Sequence, residues 1–133
     1  MIVVLDASAA IELILGRPYS QKFEKIITEA DTIVSPDLFI SEICNVFWKY
    51  YNYENLPIEH CESAIDKCID LVDEFIETIS LYKEAFSFST MAKHPVYDSM
   101  YLITARRNNA FLLTTDNKLI EVARIHSIKY LEL

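Results

Sequence analysis

Two carboxylates in this chain each end an apolar run and precede a helical one. Asp6 closes "MIVVLD" with Ser8 two residues on, and Asp116 closes "FLLTTD" with Thr114 two residues before it. Desolvating a carboxylate at the end of a buried strand is costly, so a plan used twice calls for a reason. Glu42 and Asp98 extend the set. Glu42 borders the apolar stripe of Phe39, Ile43, Val46, Phe47 and Tyr50, and Asp98 precedes Met100, Leu102, Ile103 and Ala105 in a helical pattern. Singly, each acid has an ordinary use: Asp6 and Asp116 as helix N-caps, Glu42 on a solvated face, Asp98 in a first turn where the dipole favours it by ~0.3–1 kcal/mol. Gathered at one place, four carboxylates repel one another unless a cation lies between them. An all-oxygen ligand set suits Mg2+ or Mn2+ rather than zinc.

The elements that must position these acids alternate. A continuous aliphatic run over residues 2–6 predicts a strand covered on both faces. Helices are expected over 8–15, closing near Gly16, and over 19–30, after Pro18. Thr32–Val34 reads as a second strand. Ser35-Pro36-Asp37 opens a helix over 37–52, and Leu56-Pro57 opens another reaching 74. Phe75–Ile79 reads as a third strand, followed by helices over 81–93 and 96–108 separated by His94-Pro95. Asn108-Asn109 can take the left-handed cap usually given to glycine. Ala110–Thr114 is expected as the fourth strand, 117–126 as a helix and Ile128–Leu131 as a last edge strand. Strands separated by helices predict an α/β fold with a mostly parallel, roughly five-stranded sheet between helical layers. Ligands of such sheets bind at the carboxyl ends of the strands, near the switch in strand order, and Asp6 and Asp116 belong to that edge.

Composition bounds the reading. With 133 residues and 52% hydrophobic content the chain suits one core, and a single domain over 1–133 is expected. One glycine, Gly16, excludes the glycine-rich phosphate loops. No run approaches the ~18 apolar residues of a membrane span, and no basic segment leads into an apolar one, so a soluble, cytoplasmic protein is expected. Cys61 and Cys68 fall on the apolar face of a helix with Ile58 and Ile65, where cysteine acts as a small hydrophobe. His60, His94 and His126 are scattered and read as surface or helix-end residues.

The segments "VVLDAS", "SEICNVFWK" and "VYDSMYLITARRNNAFLLTTD", taken in order, resemble the PIN domain, and the short length resembles the VapC group of toxin ribonucleases. The resemblance spans essentially the whole chain. It implies a three-layer α/β/α fold, Mg2+-dependent hydrolysis of RNA, a homodimer and a small antitoxin partner. By position Asp6, Glu42, Asp98 and Asp116 match the acidic quartet of metal-binding catalytic residues, and Ser8 and Thr114 match hydroxyls that hold carboxylates in place. Asn108-Asn109 stands where many relatives carry glycine, and Asn tolerates the same backbone. Metal-assisted attack by water on a phosphodiester predicts products with a 3′-hydroxyl and a 5′-phosphate.

Other readings compete. A catalytically silent PIN-like module binding RNA or protein would not need the full quartet. A phosphatase with an aspartyl nucleophile wants a second Asp two residues after the first, and Ser8 is there instead. The formal charge of −8 opposes RNA binding, but eight acids between Glu54 and Glu77 face Lys67 alone and carry most of it. Glu59, Glu62, Asp66, Asp70, Asp73 and Glu77 are expected as one helical stripe. Lys49, Lys93, Lys118, Arg106 and Arg107 are the candidate phosphate contacts. In "NVFWKYYNY" the rings outnumber the places on one inward face, so Trp48 is expected to meet a second subunit or an antitoxin segment.

Overall fold

Val3, Val4 and Leu5 are entirely buried, and the strand that carries them is the centre of the sheet. The computed structural model describes residues 1–133. Its elements are β1 (Ile2–Leu5), α1 (Ala7–Ile14), α2 (Ser20–Glu29), β2 (Thr32–Pro36), α3 (Leu38–Glu54), α4 (Ile58–Asp70), β3 (Glu74–Ile76), α5 (Thr78–Ala92), α6 (Val96–Asn108), β4 (Phe111–Leu113) and α7 (Asn117–Ile125). The strand order is β3-β2-β1-β4 and every pairing is parallel. Val3, Val4 and Leu5 pair with Phe111, Leu112 and Leu113 on one side, and Ile2, Val3 and Val4 with Thr32, Ile33 and Val34 on the other. Strand order therefore reverses beside β1, which opens a crevice at the carboxyl ends of β1 and β4.

Helices cover the sheet as parallel crossovers require. α6 packs on β1, β2 and β4 and is backed by α5, while α1, α2, α3 and α4 form a second group. One cluster of 31 buried hydrophobic residues joins the layers, with Phe23, Phe39, Phe47, Leu81, Leu102, Ile103 and Leu119 among its fully enclosed side chains. Polar groups inside it are paired. Ser35 Oγ donates to the Leu5 carbonyl at 2.8 Å, Ser89 donates to Ser99 at 2.6 Å, and no buried side-chain polar atom lacks a partner. Cys61 and Cys68 are buried on the inward face of α4 as expected, and burial pushes the Cys68 thiol up to about 12. No helix is long and apolar enough to cross a membrane.

Three expectations need correction. The sheet has four strands rather than about five. Ile128–Leu131 leaves a left-handed turn at Ser127 and exchanges only two backbone hydrogen bonds with Leu112, which makes a single bridge at Tyr130. The acidic helix ends at Asp70, because Asp73 is drawn to the sheet: its N–H donates to the Ile33 carbonyl and its carboxylate accepts from the Ile33 N–H, both at 2.8 Å. Asp73 and Glu77 thus leave the stripe, and Glu59, Glu62, Asp66 and Asp70 remain on it. α5 starts at Thr78, three residues before the expected position, where the Asp37 carboxylate accepts from both the backbone N–H and the hydroxyl of Thr78.

Asn109 ends α6 with φ 49°, the left-handed cap anticipated from the Asn pair. Asn109→Ala should cost about 1 kcal/mol in urea unfolding, since a Cβ without a local polar partner disfavours that region. Asn109→Gly should be near neutral, because relief of backbone strain is offset by the greater freedom of the unfolded chain.

Candidate active site

The crevice at the switch point is a cavity of about 330 Å³, and Asp6, Glu42, Asp98 and Asp116 all line it, with Ser8, Glu12, Arg17, Tyr50, Tyr101 and Thr115 among the other wall residues. Each acid arrives on a different element. Asp6 follows β1 and caps α1, Glu42 sits one turn into α3, Asp98 lies in the first turn of α6, and Asp116 caps α7. The ordinary reading of Asp6 and Asp116 as N-caps is therefore correct and does not compete with a place in the site.

Every carboxylate is held by one set of donors and keeps acceptor capacity in reserve. Asp6 Oδ1 accepts from Ser8 Oγ at 2.6 Å and from the Ala9 N–H at 2.9 Å, and Oδ2 accepts from Thr114 Oγ1. Ser8 also meets Thr114 at 3.3 Å and accepts from the Thr115 N–H at 2.9 Å, so the two hydroxyls tie the ends of β1 and β4 together. Glu42 Oε1 accepts from Tyr101 Oη at 2.5 Å. Asp98 Oδ2 hydrogen-bonds with His94 Nε2 at 2.9 Å. Asp116 Oδ1 accepts from the N–H groups of Lys118 and Leu119 at 2.9 and 3.3 Å. Glu42 Oε2, Asp98 Oδ1 and Asp116 Oδ2 have no protein donor, and none of them is a buried unpartnered atom, so each is open to solvent or a ligand.

Burial and, less strongly, mutual repulsion raise the ionisation of three of the acids. Burial pushes Asp6 up to about 6; its hydroxyl and backbone donors oppose this, and the charge of Glu42 adds to it. Glu42 is raised by burial and by Asp98 against the pull of the Tyr101 hydroxyl, and Asp98 by burial and by Asp116 against the pull of His94. Tyr101, buried against Glu42 and Asp6, has its phenol ionisation pushed upward, which keeps it a hydrogen-bond donor. No three His, Cys, Asp or Glu side chains approach closely enough to make a ready-made metal cage. The four acids line the cavity from separate elements. The donor set still fits a hard divalent cation: all oxygen, mostly carboxylate, with one free oxygen each on Glu42, Asp98 and Asp116.

The expected basic residues are placed less favourably. Arg106 and Arg107 both pair with Glu84 of α5, at 2.8 and 2.7 Å, and lie at the far end of α6, ~12 Å along the helix from Asp98. Lys93 caps α5, and Lys118 uses its backbone N–H on Asp116; both side chains are exposed and neither lines the cavity. Lys49 lines an adjoining hollow with Val46, Tyr50, Tyr53 and Glu54. Three residues escaped the sequence reading. His94, taken as a helix-end residue, holds Asp98, and the i, i+4 spacing across Pro95 was the available clue. Tyr101 lies inside an apolar helical run and looked like core. Arg17 follows the only glycine, Gly16 at φ 61°, and it is the one basic residue in the cavity wall.

These shifts fix a pH dependence. The Asp6 carboxyl in the unfolded chain ionises near 3.8 and in the folded chain near 6, so the native state holds the proton more tightly. Stability of the metal-free protein should therefore fall as pH rises from about 4 to about 6, by at most about 3 kcal/mol from this residue. Thermal unfolding in EDTA at pH 4.5 and 7.5 should show that loss, Asp6→Asn should reduce it, and added Mn2+ should restore stability mainly at the higher pH.

The profile of the PIN domain family matches residues 3–125. Ribonuclease VapC3 of Pyrobaculum aerophilum is 26% identical over 127 residues, which cover 91% of this chain and 94% of that protein. The crystal structure of PAE2754, also from Pyrobaculum aerophilum, superimposes with a TM-score of 0.73 at 21% identity, covering 92% of this chain and 87% of the other. VapBC2 from Rickettsia felis, bound to a DNA fragment from its promoter, gives a TM-score of 0.69 at 19% identity, over 98% of both chains. The match over nearly the whole chain, on the fold and switch-point crevice described above, places this protein in the PIN domain family.

Proposed function

We propose that the protein is a divalent-metal-dependent endoribonuclease and the toxin of a toxin–antitoxin pair. The observation that carries this reading is the ring of four carboxylates around one cavity, three with an oxygen left for a ligand. The name of the Pyrobaculum relative supports RNA as the substrate, and the Rickettsia pair supports an antitoxin partner. Asp6, Glu42, Asp98 and Asp116 would hold Mg2+ or Mn2+. A cation bound there makes water more nucleophilic and neutralises charge on the phosphoryl group and the leaving oxygen. The protein's own part is positional. Ser8 and Thr114 fix the plane of Asp6, Tyr101 fixes Glu42, His94 fixes Asp98, and the α7 N-terminus fixes Asp116. A cation would also lower the raised carboxyl ionisations by taking the place of the protons.

Two exposed apolar surfaces are available for partners. Trp48, 51% exposed, borders a hollow between α3 and α4 with Tyr51 and Ile58, and we assign it to the antitoxin. Ile79, Tyr82 and Phe86 form an outward stripe on α5, which we assign to the homodimer. Phe86→Glu should shift the molecule to a monomer in sedimentation equilibrium without changing its fold; an unchanged mass would remove α5 from the interface.

The activity is tested on single-stranded RNA with Mg2+ or Mn2+ and with EDTA. Cleavage should require the metal and leave 3′-hydroxyl and 5′-phosphate ends. Asp6→Asn and Asp98→Asn should lower the rate by on the order of 10²-fold or more while the protein stays folded. Cleavage in EDTA, or cyclic-phosphate ends, would contradict the mechanism.

A further inference from the structure

The face of α3 that carries Glu42 continues away from the acids. Val46 and Tyr50 line the acid cavity and also the next hollow, which Lys49, Tyr53 and Glu54 complete. At 100° per residue, positions 42, 46, 49, 50 and 53 fall on one face of the helix about 100° wide, and the step from Glu42 to Tyr53 covers ~16 Å. The two hollows share Val46 and Tyr50 and so adjoin along α3. At the junction, Arg17 donates to the Tyr50 hydroxyl, and its guanidinium lies 5.6 Å from the centre of the Tyr50 ring. Arg17 makes no ion pair with any carboxylate, although Glu12 lies in the same wall; Glu12 instead accepts from the Tyr19 N–H at 3.1 Å. A pre-oriented cation without a counter-charge thus stands at the mouth of an acidic cavity. Beyond it lie a lysine and a tyrosine ring that is 72% exposed.

We infer that this path along α3 is the binding track for the single-stranded RNA substrate, with Arg17 and Lys49 taking backbone phosphates and Tyr53 stacking on a base. The inference rests on the nuclease reading and adds a direction and a positioning residue to it. Guanidinium on a phosphate, anchored by its hydrogen bond to a tyrosine, matches the charge of the backbone. An exposed ring beside basic side chains is a sequence-tolerant means of holding single strands, and here Arg17 and Lys49 supply the positive charge along a wall that also carries Glu54. The strand leaves the acids toward the C-terminal end of α3.

Kinetics and binding on synthetic RNA separate the outcomes. Arg17→Ala should lower kcat/KM about ten-fold, mainly through KM, on both a trinucleotide and an octanucleotide, and Arg17→Lys should recover part of the loss. Tyr53→Ala should weaken the octanucleotide about ten-fold and leave the trinucleotide unchanged. In an Asp98→Asn background, Arg17→Ala and Lys49→Ala should each reduce the slope of log affinity against log salt by about 0.7, which loss of packing alone would not do. Lys129→Ala, at the Phe111 end of β4, should change none of these values. Mn2+-induced thermal stabilisation should persist in Arg17→Ala. If the wild type cleaves RNA while Arg17 and Tyr53 variants match it, or if Tyr53→Ala affects both lengths equally, the track is wrong and the nuclease reading stands. If the wild type neither binds nor cleaves RNA, the nuclease reading itself falls.

Discussion

Repulsion among four carboxylates is the constraint around which the rest of this structure is arranged. Each acid enters the cavity from a different helix or strand end, and each is gripped from behind by a donor that belongs to a rigid element. The grip matters because the charges would otherwise relieve their strain by swinging apart into water. The hydroxyl and amide donors that surround Asp6 lower the cost of its charge without cancelling it, and burial keeps the ionisation high. The cluster is accordingly assembled at a cost to the stability of its charged form.

The parallel sheet makes this arrangement possible. A strand order that reverses beside β1 leaves a gap at the carboxyl ends of β1 and β4, and the two helices that follow those strands begin there. Helix N-termini offer free N–H groups, so a carboxylate at an N-cap is stabilised by its own helix and still faces outward. Asp6 and Asp116 use the cap in this way, which is why structural and functional readings of the same residue agree here.

Much of the fold was legible in the sequence because its signals were local. The aliphatic run at Val3–Leu5, the Pro57 and Pro95 helix starts and the left-handed Asn109 all reflect backbone preferences that tertiary context did not override. Errors fell where a distant partner decided the outcome. Asp73 breaks from its helix to pair with Ile33, forty residues away, and Thr78 is pulled into α5 by Asp37. The four acids of the site could be read by type and order, whereas His94, Tyr101 and Arg17 could not, since each acts through a neighbour that only the folded chain supplies. The basic candidates were the weakest reading, because surface charge by itself does not distinguish Arg106, paired with Glu84, from Arg17, which has no such pair.

The pairing of β1 with β4 also sets a timetable. Asp6 and Thr114 are 108 residues apart, and the hydrogen bond between them, with the β1–β4 ladder, closes the cavity wall. A ribosome delivers the N-terminal strand first, so β1 must wait with one edge unpaired until Phe111–Leu113 emerges. Until then the chain holds at most three of its four acids and lacks the wall that brings them together. Completion of the site is thus deferred until residues 111–116 have been made, and a chain cut short of them has no assembled centre with which to act.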